Sequence, residues 1–320
     1  MIRNVTAVIV VIIATATFNL STYAAELSPP LSQPLPELTA VTVQAAAAPA
    51  ATPATTLAQP TATTKAKDSA GDMDKINLNY LKGYLVDTGK LVASPIHWEA
   101  GDWLKLGLVL GVTSSLFLVD QKIKDFSQEH KNSVLSGFAS VGNALGDPLY
   151  TLPPVGAFYL YGQLADDPKA RRTSLLAVES LAITSVMTSG LKVLAKRHRP
   201  STGDSPTTWD GPNFSLKNLS FCSGHTSSAF SIATVFAEEY KDNAYIPPLA
   251  YGLATLTGLS RIYSNAHWAS DAFFGAALGY FVSKGLLSLH KEEKGKKANK
   301  FMLLPEISKD MTGLSVKYDF

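Results

Sequence analysis

His267 and Asp271 have the residue types and the spacing that a histidine nucleophile requires. They stand four residues apart at the predicted start of a helix, so their side chains meet on one face. A carboxylate beside one ring nitrogen fixes the tautomer of a histidine and leaves the lone pair of the other nitrogen available for attack. The alternative interpretation is a His–Asp pair that only caps the helix.

A second histidine lies in a turn that is suited to binding an anion. Ser223-Gly224-His225 opens another predicted helix, with Ser223 or Thr226 as the capping side chain. The first backbone N–H groups of a helix have no partner within it, and Gly224 lets the backbone approach a phosphate closely. Because histidine titrates near neutral pH, His225 is the candidate general acid. Alone, such a turn is a weak signal.

Three cations complete the set. Lys192 and Arg199 are seven residues apart, and ~700° of rotation along a helix brings them within about 20° of one face. Pro200 ends this helix after Arg199, because proline disfavours helical backbone at the residue before it. Arg261 lies six residues before His267. We therefore predict an anion site, with a pair of surface cations at Lys192 and Arg199 as the alternative.

The chemistry that fits this set is phosphoryl transfer without a metal ion. In the sequence, no second group of carboxylates and no set of cysteines and histidines has the spacing of a metal site. Fixed cations and backbone N–H groups would instead stabilise the charge on the transferred phosphoryl group. We expect no cofactor.

The three segments resemble the signature of the type 2 phosphatidic acid phosphatase and haloperoxidase superfamily. That signature reads lysine, six residues, arginine-proline; then proline-serine-glycine-histidine; then serine-arginine, five residues, histidine, three residues, aspartate. Its first part stands intact at 192–200 and its third at 260–271, while the second reads Cys-Ser-Gly-His at 222–225. The resemblance covers roughly residues 130–290. It implies an all-α core in which four helices bring the motifs together.

The resemblance also implies a role for each residue. His267 attacks phosphorus and becomes a phosphohistidine, Asp271 orients it, and His225 protonates the leaving oxygen and then activates water. The implied phosphate-binding groups are Lys192, Arg199, Arg261 and the backbone of Ser223 and Gly224. Two other functions stay open: a vanadium-dependent haloperoxidase, in which vanadate is a cofactor rather than an inhibitor, and a non-catalytic anion-binding membrane scaffold.

Cys222 stands where the family has proline. It is the only cysteine of the chain, so a disulfide within the chain is excluded. A thiol at this position is either a tolerated substitution or a redox-sensitive group beside the site.

Other residues near the motifs or of catalytic type receive structural interpretations. His198 is expected to point away from the face that carries Lys192 and Arg199. Trp209 and Asp210, in the long loop 201–220, either pack within that loop or line the mouth of the substrate site. Surface or interfacial positions are predicted for His97, His130 and His290.

The elements that position these residues are helices. Apolar residues recur three and four positions apart, and Pro- and Gly-containing turns separate the repeats. Strand alternation is confined to the C-terminus, so the fold class is an all-α helical bundle spanning 74–290. The helices are predicted at Asp74–Leu91, Trp103–Val119, Ser133–Leu145, Leu149–Gln163, Thr173–Lys196, Thr226–Tyr240, Tyr245–Ile262 and Trp268–His290.

Three segments flank this bundle. Residues 1–25 have the basic start, the apolar run and the small-residue end of a signal peptide, with an uncleaved anchor as the alternative. Residues 26–73 are rich in Ala, Thr and Pro and are predicted to be a disordered linker. Residues 291–320 combine a basic segment with an alternating pattern that predicts a short β-hairpin.

The leader predicts an exported protein whose active site lies outside the cytoplasm. A net charge of +2 without a basic, aromatic-rich patch excludes a nucleic-acid partner. Charges interrupt the apolar runs, which favours a soluble or peripherally bound bundle over a spanning one. Basic residues at 169–172 and 294–300 favour the spanning arrangement. The expected partners are a phosphorylated small molecule or lipid and a membrane surface.

Overall fold

The computed structural model describes residues 78–213, 215–298, 301–308 and 311–318. The predicted signal peptide at 1–25 and the predicted linker at 26–73 lie outside the described residues, as do the first four residues of the predicted bundle.

Helices account for nearly all of the described chain, and the predicted all-α bundle is confirmed. Two short 3₁₀ helices, Ser94–His97 and Pro200–Thr202, lie between longer elements. In chain order the α-helices are α1 Leu78–Ala93, α2 Ala100–Glu129, α3 Ser133–Gly146, α4 Pro148–Leu164, α5 Pro168–Ala195, α6 Gly224–Glu239, α7 Ile246–Tyr263 and α8 Ala269–Ala298.

Helix α6 occupies the centre of the bundle and packs against α5, α7 and α8. Its buried residue Val235 belongs to an apolar cluster with Leu176 and Ile183 of α5 and Leu286 of α8. A second cluster joins Ala233 of α6 and its neighbours to α7. The first residues of α6 and α8 therefore belong to helices whose buried side chains pack against several neighbouring helices.

The helix that carries Lys192 ends earlier than the sequence predicted. Helix α5 begins at Pro168, where the Asp167 side chain accepts hydrogen bonds from the backbone N–H groups of the first turn. It ends at Ala195, because Lys196 adopts a left-handed conformation with φ 51°. Arg199 follows in extended backbone, so the predicted stacking of Lys192 and Arg199 on one helical face is wrong.

Three helices are long and apolar enough to cross a bilayer, judged by length and composition: Ala100–Glu129, Pro168–Ala195 and Ala269–Lys291. From the sequence, most apolar runs are predicted to be too short to span a bilayer, with Glu179 among the charges that interrupt them. In the structure Glu179 is buried inside the bundle, as is Asp120 of α2, whereas many apolar side chains of α2 are exposed. The fold therefore favours the membrane-associated arrangement over the soluble one.

The C-terminus forms the predicted antiparallel hairpin. Strand β1 spans Phe301–Ser308 and strand β2 spans Met311–Tyr318, with Phe301 paired to Tyr318 and Ser308 to Met311. Helix α8 continues to Ala298, through most of the basic part of the predicted C-terminal segment.

Candidate active site

Direct hydrogen bonds join the three sequence motifs. The backbone N–H of Ser223 donates to the carbonyl oxygen of Asp271 at 3.0 Å. The Trp268 indole N–H donates to the carbonyl of His198 at 2.8 Å, and Lys192 Nζ donates to the carbonyl of Leu219 at 2.5 Å. Segments that are about 25 to 75 residues apart along the chain thus meet at one end of the bundle.

His267 and Asp271 lie together at the start of α8. The His267 side chain is buried, and its Nδ1 is 3.7 Å from Oδ2 of Asp271, an ion-pair distance rather than a hydrogen bond. Asp271 stands in the first turn of α8, where its Oδ2 also accepts the backbone N–H of Trp268 at 3.0 Å. The carboxylate therefore both caps the helix and lies on the Nδ1 side of the His267 ring.

The turn with the second histidine has the predicted cap. Ser223 is the N-cap of α6, and its Oγ accepts from the hydroxyl of Thr226 at 2.9 Å. His225 follows in the first turn and is buried. The N–H of Ser223 is already bonded to Asp271. The N–H groups from Gly224 onward are the further candidates at this helix start, and the phosphate-binding role of the Ser223–Gly224 backbone stays a prediction.

Arg261 reaches the site from the last turn of α7. Its Nη1 donates to Oδ1 of Asn143 at 3.1 Å, and the same oxygen accepts from the Ser260 hydroxyl at 3.1 Å. Asn143 Nδ2 in turn donates to Ser264 Oγ at 2.9 Å. Asn143 was not predicted to belong to the site, because the sequence around an asparagine inside a helix does not show which residue of another helix it contacts.

Two glycines allow neighbouring helices to pack closely against the turn that contains Ser223 and His225. A Cβ atom added to Gly275 of α8 would lie 2.6 Å from the carbonyl oxygen of Ser223. One added to Gly146 of α3 would lie 2.7 Å from Cβ of His225. The position of the His225 turn therefore depends on the absence of side chains at both places.

We expect Gly275→Ala to displace the Ser223 turn and to lower kcat at least tenfold, with a loss of about 1–3 kcal/mol in the free energy of unfolding from overpacking. Phosphate release and thermal unfolding would be measured together. The matched control is Gly156→Ala in α4, where an added Cβ meets nothing within 4 Å. Equal activities of the two variants would contradict the proposed close packing.

Cys222 is fully buried beside the site. Burial raises the pKa of its thiol to about 12, so the group is protonated at neutral pH. A thiol without access to solvent and without thiolate character reacts slowly with oxidants. Of the two interpretations of this residue, the structure supports the tolerated substitution.

Iodoacetamide is accordingly expected to leave Cys222 unmodified in the folded protein at pH 7.5 and to alkylate it after denaturation. Peptide mass spectrometry measures both states. Because the chain has one cysteine, the denatured sample is its own positive control. Rapid alkylation of the folded protein with loss of activity would support the redox-sensitive interpretation.

The His198 side chain forms hydrogen bonds with residues of the loop 201–220. Its Nδ1 lies 2.7 Å from Oδ2 of Asp204 and its Nε2 lies 3.0 Å from Oδ1 of Asp210. The hydrogen bond to Asp204, and then that to Asp210, raises the pKa of His198. Trp209 packs against Phe117 and Phe221 at ring distances of 5.7 and 5.6 Å. Of the two interpretations of Trp209 and Asp210, these contacts support packing within and against the loop.

One of the three histidines assigned to surface or interfacial positions is buried. His97 and His130 are exposed, but His290 is buried, with Nε2 3.4 Å from Glu179 and 3.6 Å from Asp87. The three side chains bring donor atoms within 4.8 Å of one another, a grouping of metal-ligating types that the sequence did not predict. It lies about 30 Å along α8 from Asp271.

Residues 173–294 match the PAP2 superfamily. Over 66 residues, 20% of the chain, it is 46% identical to the lipid A 1-phosphatase of Porphyromonas gingivalis, of whose length it spans 15%. Among solved structures, Aquifex aeolicus LpxE has 22% identity and a TM-score of 0.42, covering 52% of this chain and 94% of that one. The PAP2-type phosphatidylglycerolphosphate phosphatase of Bacillus subtilis has 19% identity and a TM-score of 0.43, covering 67% and 96%.

Proposed function

We propose that this chain, whose residues 173–294 belong to the PAP2 superfamily, hydrolyses lipid phosphates or pyrophosphates through a covalent intermediate on His267. The observation that carries the proposal is the hydrogen bond of 3.0 Å between the Ser223 N–H and the Asp271 carbonyl. It joins the turn of His225 to the helix start of His267 and Asp271, which supports a mechanism in which a nucleophile and a proton donor act at one anion site.

In the first step, His267 Nε2 attacks phosphorus in line with the leaving oxygen. The P–N bond forms as the P–O bond to the alcohol or phosphate leaving group breaks, and His225 donates the proton that this oxygen requires. Asp271 stabilises the positive charge that develops on the His267 ring. Lys192, Arg199 and Arg261 stabilise the negative charge on the equatorial oxygens.

In the second step, water attacks the phosphohistidine. His225, now neutral, accepts a proton from that water, the P–N bond breaks, and inorganic phosphate leaves with both histidines restored. The three cations and the backbone N–H groups of α6 supply electrostatic stabilisation throughout, so the scheme requires no metal ion.

A lipid substrate is supported by the surface of the bundle. Three helices suit a bilayer by length and composition, and α2 exposes Leu104, Leu108 and Leu118 among many apolar side chains. A bundle held in the bilayer presents its site to phosphate groups at the membrane surface. The name of the Porphyromonas gingivalis relative, lipid A 1-phosphatase, is consistent with this class of substrate.

The proposed orientation places the active site outside the cytoplasm. Lys169, Arg171 and Arg172 lie in the first turns of α5, whereas Lys192 lies in its last turn. The 23 residues between Lys169 and Lys192 correspond to about 35 Å, close to the thickness of a bilayer. If the basic cluster lies on the cytoplasmic side, the catalytic end faces the opposite compartment.

The test is phosphate release by the full chain in neutral-detergent micelles. Lipid A and phosphatidic acid would be compared with glycerol phosphate, each with and without EDTA, and vanadate is expected to inhibit as an analogue of the transition state. We expect lipid substrates to be hydrolysed at least tenfold faster, with activity unchanged by the chelator. A requirement for added metal, or oxidation of bromide with vanadate and peroxide, would contradict the proposal.

A further inference from the structure

A buried chain of charges stands behind the catalytic aspartate. Arg197 Nη1 donates to Oδ1 of Asp271 at 2.6 Å, and its Nη2 donates to Oδ2 of Asp120 at 2.7 Å. The three side chains have no solvent exposure. The guanidinium also lies 4.2 Å from the centroid of the Phe117 ring, which helps to exclude water from it.

Asp120 also fixes the backbone next to Asp271. Its Oδ1 accepts the backbone N–H of Ser270 at 3.0 Å, and its Oδ2 accepts the hydroxyl of the same residue. The Ser220 hydroxyl donates to Oδ2 of Asp271, the oxygen that faces His267. Both oxygens of Asp271 are thus held by partners from outside its own helix.

Asp120 is the buried carboxylate that helix α2 contributes to this network. Among the residues of α2, the buried ones are Thr113 and Asp120, while most of the others face outward. An ionised side chain on a long apolar helix is costly unless it has a partner, and such residues are commonly functional. Asp120 lies outside residues 173–294, so the PAP2 match does not include it.

The charge balance explains why two carboxylates are needed. An isolated pair of Asp271 and Arg197 is neutral, and it would give little stabilisation to a positive charge on His267. Asp120 restores one net negative charge to the group. Arg197 in turn lies between the two buried carboxylates and offsets their mutual repulsion.

We propose, on the basis of the proposed function, that Arg197 and Asp120 are positioning residues that hold Asp271 in its orientation toward His267 and set the net negative charge beside that histidine. They touch neither substrate nor phosphorus and act through Asp271. The other charged or titratable residues that the three motifs assign to the site stay unchanged in the test: Lys192, Arg199, His225 and Arg261.

Asp120→Asn is the direct test, because it removes the charge while leaving a side chain of similar size. We expect kcat to fall ten- to a hundredfold. We also expect the acidic limb of the pH–rate profile to move to lower pH, because a less negative environment makes His267 easier to deprotonate. Arg197→Lys, which retains the charge but loses the two-sided guanidinium, is expected to retain more activity than Arg197→Gln.

The matched control is the pair of Arg172 and Glu239, which joins α5 to α6 through two contacts of 3.0 Å. Arg172 lies 20 residues from Lys192, about 30 Å along α5. Glu239→Gln should alter thermal stability and leave the pH–rate profile unchanged. If Asp120→Asn behaves in the same way, or if Arg197→Lys and Arg197→Gln have equal activity, the network only stabilises the fold and the inference is wrong.

The two proposals fail in different ways. If the wild-type protein releases no phosphate, the proposed function is wrong. If the wild-type activity depends on His267 but the pH–rate profile of Asp120→Asn matches that of wild type, only the positioning role is wrong. Should Asp120→Asn not fold, the comparison of Arg197→Lys with Arg197→Gln decides the question by the same profile.

Discussion

Replacing His267 by alanine is expected to lower kcat about 10⁴-fold or more, because no other group in the site is placed to form the covalent intermediate. The side chain is buried and faces Asp271 at 3.7 Å. Its loss removes the proposed nucleophile and leaves the cations that are proposed to bind phosphate. The Kd for vanadate should therefore change much less than kcat.

The measurement is phosphate release from phosphatidic acid in detergent micelles, together with vanadate binding. The matched control is His97→Ala, since His97 is an exposed histidine in the 3₁₀ helix between α1 and α2. It should retain full activity. Activity of His267→Ala within tenfold of wild type would mean that another group attacks phosphorus.

Replacing His225 by alanine has the second largest expected effect. General acid catalysis contributes about 10²- to 10⁴-fold, so kcat for an alkyl phosphate should fall by that amount. The loss should be much smaller in the first step with p-nitrophenyl phosphate, because nitrophenolate leaves without a proton. Hydrolysis of the phosphohistidine should still be slow in this variant, because His225 also activates the water in the second step.

Stopped-flow absorbance is the appropriate measurement for His225→Ala. A burst of nitrophenolate, equal in amount to the enzyme and followed by slow turnover, is the expected result. Equal losses for both leaving groups, without a burst, would show that His225 binds phosphate instead of transferring a proton. His130→Ala, at an exposed position after α2, provides the control.

The helices could be predicted because they have an apolar repeat and residue types that are typical of helix ends. Pro168 and Asp167 open α5, and Ser223 caps α6, as residue types at helix starts lead one to expect. The predicted end of α2 at Val119 was ten residues short of the observed end at Glu129. A carboxylate at position 120 looks like the end of an apolar helix when its partner, Arg197, lies 77 residues away.

The candidate catalytic residues could be named from the order of the motifs alone, without knowledge of their contacts, and their roles stay predictions. The residues that contact them could not be named in this way. Asn143 and Asp120 act through partners on other helices, and Arg197 lies among the six positions that the first motif leaves open. Helical periodicity also predicted the wrong position for Arg199, because the left-handed backbone at Lys196 ends α5 before the chain reaches Arg199.

The most direct test of the covalent mechanism is to find the phosphoryl group on the protein. A phosphohistidine is stable in alkali, so His225→Ala would be mixed with p-nitrophenyl phosphate, quenched at high pH, digested and analysed by mass spectrometry. We expect one phosphoryl group per chain on His267, and none in a variant that also carries His267→Ala. A phosphoryl group on another residue, or turnover without any phosphorylated intermediate, would contradict the mechanism.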